Sequence, residues 1–154
     1  MPPNSPPTQE THNIQQVVPF LMITNMEASL RFYVEGLGFT ITNKWIDEGR
    51  LRWCWLQLEG AALMLQEYRP DHIPTIKRGE GVSICFQCKD ALALYRTFLS
   101  RGLAPREPFV GNAMWVTIIT DPDGYKLDFE SPTDAPEEAI YSEHPGRATP
   151  TTQT

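Results

Sequence analysis

Trp53 and Trp55 stand two apart in LRWCWLQL, a spacing that puts both indoles on one face of a strand. By the same alternation Gln57, Met64 and Gln66 share that face, as do Phe20 with Val18 and Met22 in VVPFLMI. In the second half Ser83, Cys85 and Gln87 in SICFQC, and Asp128 in KLDFE, take the corresponding side, with Trp45 and Trp115 on neighbouring strand segments. Such a surface offers stacking area, neutral hydrogen-bonding groups and a single carboxylate, which is the chemistry of holding a small organic ligand. The bland reading stands beside it: an aromatic row also suits a core, and the glutamines can bond one another or water. Asp128 is the only candidate for catalysis. In an apolar surround its pKa rises, which suits a general base or the recognition of a cationic group. On an open surface it is a solvated acid or an ion-pair partner.

Other chemistries find no support in the residues. His12 and His144 fall in the end segments and His72 in the loop RPDHIPT, so none sits on a strand that could present a metal. Cys85 and Cys88 read C-x-x-C as text, but residues three apart on a strand face opposite ways and the sulfurs diverge. There is no phosphate-cradling glycine loop, nucleophile elbow or histidine-based triad. No metal and no cofactor is expected.

The elements that must position these residues belong to a chain of 154 residues with 41% hydrophobic content, enough for one domain with a real core. Thirteen Lys and Arg against nineteen Asp and Glu give a net charge of −6, without a basic stripe, so no nucleic-acid partner is expected. No apolar run nears the roughly 20 residues that span a bilayer, and MPPNSPPTQETHN has no leader character, so a soluble, cytoplasmic protein without membrane contact is expected. Three cysteines form no disulfide framework and suit a reducing compartment. Prolines at 2, 3, 6 and 7, and at 132, 136, 145 and 150, mark residues 1–14 as a disordered tail and 133–154 as a C-terminal tail, in which a short helix around PEEAIYSE could pack Ile140 and Tyr141 back on the domain or on a partner subunit.

Between the tails the chain contains itself twice. In VVPFLMITNMEASLRFYVEGLGF a β-prone run gives way at the N-cap Asn25 to a stripe of Met26, Leu30, Tyr33, Val34 and Leu37, closed by Gly38. GVSICFQCKDALALYRTFLSRGLAP repeats the design, with Asp90 as cap, a stripe of Ala91, Leu94, Tyr95, Phe98 and Leu99, and Gly102. Helices are predicted over about 26–37 and 91–101. β-rich segments follow each, divided by turns at Asp47-Glu48-Gly49, Glu59-Gly60 and Asp121-Pro122-Asp123-Gly124. The class is α+β: two β-α-β-β-β modules, 15–68 and 81–132, in one domain over 15–132. Leu21, Ile23, Cys54, Leu56, Leu58, Leu63, Leu65, Ile84, Phe86, Leu127 and Phe129 form the helix-facing set.

With NMEASLRFYVEGLGF in one half and TDPDGYKLDFE in the other, the chain resembles the vicinal oxygen chelate superfamily of glyoxalases, bleomycin resistance proteins and dioxygenases. The resemblance implies a curved mixed sheet cupping a ligand, usually completed by a second subunit. In metal-using members, His or Gln on the first strand and Glu on the last strand of each half bind the ion. The matching positions here are Val18, Met64, Ser83 and Asp128, three of which are not ordinary ligands of a divalent metal. The implied function is therefore that of the metal-free, bleomycin-resistance-type members: sequestration of an aromatic or drug-like molecule by a homodimer, as in antibiotic resistance. Phe20, Trp53, Trp55, Gln57, Met64, Ser83, Gln87, Trp115 and Asp128 are the expected ligand contacts. The alternative is a glyoxalase-type lyase or isomerase, or a dioxygenase.

Overall fold

The change of hydrophobic period at Asn25 appears as a strand handing over to a helix in the computed structural model, which describes residues 12–144. After β1 (Phe20–Ile23) the Asn25 side chain accepts the Ala28 N–H at 3.0 Å and starts α1 (Met26–Leu30). From Arg31 to Gly36 the helix widens into a π-wound turn, with the Leu37 N–H on the Phe32 carbonyl at 2.9 Å. The wider turn changes which side chains face inward: Phe32, outside the predicted stripe, is buried beside Tyr33, while Leu30 is only partly buried. Gly38, at φ +97°, takes the left-handed conformation that ends the helix.

β2 (Thr40–Asp47), β3 (Arg50–Leu58) and β4 (Ala61–Glu67) then run antiparallel, and β1 pairs in parallel with β4, giving the order β1-β4-β3-β2. The second half repeats this with β5 (Ser83–Gln87), α2 (Ala91–Ser100), β6 (Phe109–Gly111), β7 (Met114–Thr120) and β8 (Lys126–Pro132), in the order β5-β8-β7-β6. Asp90 caps α2 through the Ala93 N–H at 2.9 Å. The repeat extends to register: Phe20 lies beside Met64 as Cys85 lies beside Asp128. The two modules are the expected α+β architecture with curved sheets. Ile23, Cys54, Leu56, Leu63, Leu65 and Leu127 are fully buried on the helix side, as the alternation predicts. Among the described residues no helix is long and apolar enough to cross a membrane.

The halves meet at the Asp121-Pro122-Asp123-Gly124 turn, closed by the Gly124 N–H on the Asp121 carbonyl at 3.1 Å. The buried Asp121 carboxylate accepts the N–H groups of Asp123 (2.9 Å) and Tyr125 (2.8 Å) on one oxygen, and the Tyr33 hydroxyl of α1's continuation (2.8 Å) on the other. Asp123 accepts the Thr24 hydroxyl at 2.7 Å, and the Tyr125 hydroxyl donates to the Met22 carbonyl at 2.7 Å. The helix-side cores of both modules merge here, with Tyr33, Phe39, Phe86, Phe98 and Phe129 in one cluster.

The C-terminal segment departs from the expected tail. Residues 133–144 lie on the second module: the Val110 N–H reaches the Ala139 carbonyl at 2.8 Å, and the Glu137 carboxylate receives the Asn112 N–H. Ala135 and Ala139 are buried against Trp115, and Tyr141 meets Tyr95 edge-on at 5.1 Å. Small side chains make this docking possible despite a low apolar content, because they let backbone approach the indole closely. PEEAIYSE forms only a short 3₁₀ turn, Tyr141–Glu143. Residues 1–11 and 145–154, where the rest of the tail expectations fall, lie outside the described residues.

Burial raises the Asp121 pKa above the usual carboxylate range, while the Tyr125 N–H, the Tyr33 hydroxyl and the Asp123 N–H pull it down. Tyr33→Phe removes one of these donors from a buried anion, and the expected loss is about 1–3 kcal/mol of stability at neutral pH. Without the hydroxyl Asp121 titrates higher still. The deficit therefore shrinks as pH falls through the Asp121 range and the carboxyl is protonated in both proteins. Thermal unfolding of the two proteins from neutral pH downward measures it; a deficit that grows with acidity contradicts the assignment.

Candidate functional site

β1 and β5 are each the end strand of their sheet, and a cavity of about 1350 Å³ lies along both of them. Its wall takes Phe20 and Leu21 from β1, Ile84 and Phe86 from β5, Leu94 and Phe98 from α2, and Phe129 from β8. The part-exposed Phe86 stacks on the buried Phe129 with centroids 4.7 Å apart, and Phe98 meets Phe129 edge-on at 5.1 Å, so the ring presented to the cavity is backed by core aromatics that fix its geometry. Ser83, Cys85, Gln87, Thr97 and Tyr125 add polar groups. This is the composition of a small-molecule site: mostly apolar, with a few polar anchors.

Of the residues expected to touch a ligand, Phe20, Ser83 and Gln87 line the cavity. Trp53, Trp55, Gln57 and Met64 lie half-buried on the open face of the first sheet, outside that lining. There Trp55 pairs with Met64 across β3 and β4, and its indole donates to Gln57 at 3.3 Å. Trp115 departs from the expectation more fully. It shares its face of β7 with Thr117, whose hydroxyl donates to the Ala91 carbonyl at the start of α2, so the indole is core, packed with Leu92 and Val110. Phe98 and Phe129 are buried as the periodicity predicts, whereas Phe86, assigned by alternation to the helix-covered side, also reaches the cavity. The usable signal was that β5 opens its module and so ends a sheet, where both faces border the gap.

Asp128 is buried and also lies outside the cavity lining. Its Oδ2 is 3.9 Å from the Lys126 ammonium and 3.9 Å from the Cys85 sulfur, and its Oδ1 is buried with no partner. Burial raises its pKa most; Lys126 opposes, Glu130 adds to the rise, and Cys85 and Arg106 oppose. Cys85, Asp128 and Glu130 are, among the described residues, the one group of three possible metal donors whose ligating atoms lie within 4.8 Å of one another. That group already holds its own cation in Lys126, and Gln87 donates to Glu130 at 2.9 Å. The positions at which the resembled family binds metal fit worse. Val18 precedes β1, Met64 offers only a thioether, and Ser83 pairs in register with Lys126 rather than Asp128. The residues present do not fit a catalytic divalent ion. His12 and His72 are exposed, and His144 sits by Trp115, so no histidine reaches the cavity wall.

A family model described as the Glyoxalase/Bleomycin resistance protein/Dioxygenase superfamily matches residues 13–129. No curated protein matches the sequence. Similar solved structures include TnmS3, an antibiotic binding protein from Streptomyces sp. CB03234, with 22% identity and a TM-score of 0.59 over 79% of this chain and 100% of that one. A glyoxylase/bleomycin resistance protein/dioxygenase domain from Frankia sp. EAN1pec gives 16% and 0.60 over 75% and 94%. A bleomycin-binding protein complexed with bleomycin gives 25% and 0.58 over 75% and 97%.

Two measurements test this chemistry. Calorimetric titration with zinc, nickel, iron(II) or manganese is expected to show no stoichiometric uptake; one ion per chain in contact with Asp128 overturns that. Partial desolvation, with the Glu130 and Asp128 carboxylates nearby, holds the thiol of the exposed Cys85 above its ordinary pKa. Its alkylation at neutral pH is expected to run slower than that of a free cysteine and to speed up in Glu130→Gln, as peptide mass mapping can follow.

Proposed function

Because the chain belongs to the glyoxalase/bleomycin resistance protein/dioxygenase superfamily, we propose that it binds a small aromatic or drug-like molecule in the inter-module cavity and sequesters it unchanged. The observation that carries this reading is the cavity itself: about 1350 Å³ with a stacked aromatic wall. That exceeds the roughly 300–1,000 Å³ of common small-molecule sites and suits a drug-sized ligand better than a metabolite of a few carbons. The residues around it supply stacking, hydrogen bonds and charge but not the donor set that a metal-dependent member needs. The 25% identical bleomycin-binding protein, nearly all of whose length is matched, supports the same reading.

The reading includes a homodimer, in which a second copy covers the open face bearing Trp53, Trp55 and Met64. Trp45 and Ile46 of β2, whose register partners in β3 are Trp53 and Leu51, are 49% and 53% exposed in the single chain, and this supports it. A cytoplasmic location is part of the proposal, supported by three free cysteines. A glyoxalase-type or other enzymatic role rests on Asp128 alone, whose raised pKa suits a general base.

Tryptophan-fluorescence titration with bleomycin and with other aromatic drugs, run beside a methylglyoxal and glutathione turnover assay, separates the two. Saturable binding without turnover is expected; turnover without binding overturns the proposal. Phe20→Ala is expected to weaken binding about 3–10-fold through lost aromatic contact. Trp55→Ala is expected instead to shift the protein toward a monomer in sedimentation.

A further inference from the structure

Six charged side chains line the cavity: Lys77, Arg78, Arg101 and Lys126 against Glu59 and Glu80. The cavity is thus locally basic in a chain whose net charge is −6. Most of these charges have partners. Lys77 lies 3.6 Å from Glu80, Arg101 donates to the Gly36 carbonyl at 2.9 Å, and Lys126 is 3.9 Å from Asp128. Among the described residues neither Arg101 nor Arg78 has a carboxylate within 4.0 Å, and what sets Arg78 apart is a donor left without a partner. Its guanidinium lies over the Tyr68 ring at 5.0 Å, and Nη2 donates to the Pro74 carbonyl at 2.8 Å. Nε is buried with no partner at all.

The loop that carries this side chain is pinned. Gly79, at φ +74°, lies so near the 121–124 turn that a Cβ there would come within 3.0 Å of the Tyr125 Cα. Gly124 likewise faces the Arg78 carbonyl, which a Cβ would meet at 3.3 Å. A guanidinium held at both its backbone and its ring face, with a buried donor left over, is preorganised for an anion.

We propose that Arg78, with Lys126 in support, forms an anion subsite, and that the cavity takes an amphipathic organic anion. Its aromatic body lies against Phe20 and Phe86, and a carboxylate or sulfonate is held by the guanidinium through charge-assisted hydrogen bonds. This deepens the binding reading above and rests on it. It also reverses the expectation that Asp128 selects a cation: Asp128 is outside the lining, whereas Lys126 is part of it.

Anilinonaphthalene sulfonate and its uncharged parent phenylnaphthylamine share one fluorophore and differ in the anionic group, so titrating both isolates the charge. The sulfonate is expected to bind about tenfold tighter or more, with one site per chain, and the preference is expected to decline with added salt. Arg78→Gln is expected to abolish the preference, Arg78→Lys to keep part of it, and the exposed Arg96→Gln, away from the cavity, to leave it intact. Circular dichroism melts establish that each variant is folded. Equal or tighter binding of the uncharged probe overturns the anion subsite while leaving the binding cavity standing, as does a preference that survives in Arg78→Gln. Binding of neither probe overturns both.

Discussion

One carboxylate sets the distance between the two modules. Asp121 builds its own turn with one oxygen and reaches the other module through Tyr33 with the second, so turn geometry and inter-module spacing are fixed by the same buried group. Thr24 on Asp123 and Tyr125 on the Met22 carbonyl brace the contact from either side. The sheets themselves do not join: β1 and β5 end their respective sheets, and the gap beside them is the cavity. Where the second half has Asp-Pro-Asp-Gly, the first half has Glu59-Gly60, which lines the cavity and makes no matching latch. Near the helix C-termini the remaining brace is Arg101 on the Gly36 carbonyl, with Leu103 packed where a Cβ on Gly36 would lie.

Features governed by neighbours along the chain were legible in the sequence. Asn25 and Asp90 cap helices, Gly38 and Gly102 end them in the left-handed region, and strand alternation separates Leu56 and Leu65 from Trp55 and Met64. Features decided by what packs on top were not. The π-wound turn buries Phe32 because of the company around Tyr33, and nothing in RFYVEG announces it. Residues 133–144 read as a tail by composition, yet two alanines over an indole suffice to seat them once the chain has turned back. The same segment explains Trp115, whose burial depends on neighbours that alternation alone does not reveal. The cavity was only half legible for a related reason. Alternation states which face a residue takes but not whether its strand ends a sheet, and Phe86 matters because β5 does.

Net charge was a poor guide to the site for an equally physical reason. Buried carboxylates here are engaged with partners in the fold: Glu67 receives the Met26 N–H at the start of α1 at 2.7 Å and pairs with Arg50 at 2.6 Å. Asp121 serves the latch, and Asp128 balances Lys126. An acidic chain can therefore present a basic cavity, because the sign of a site depends on which charges remain uncompensated at its wall. A formal sum over the sequence weights every group equally and loses that distinction.

Duplication gives the protein two backbones of one design, and divergence at equivalent positions gives the paired modules direction. Where the first module places Phe20 beside Met64, the second places Cys85 beside Asp128, and the second module alone adds Lys126 and Glu130 around them. The linker between the modules contributes Arg78 at the same side as the 121–124 turn. The cavity walls differ accordingly: the first module contributes Phe20, Leu21 and the Glu59-Gly60 turn, and the second contributes Phe86 and Leu94 together with Ser83, Gln87 and Lys126. The difference between the walls thus comes mainly from side-chain substitution on one backbone design. Divergence of this kind is available only because β1 and β5 leave their outer edges unpaired: had they hydrogen-bonded into one continuous sheet, the difference between the halves would face no interior.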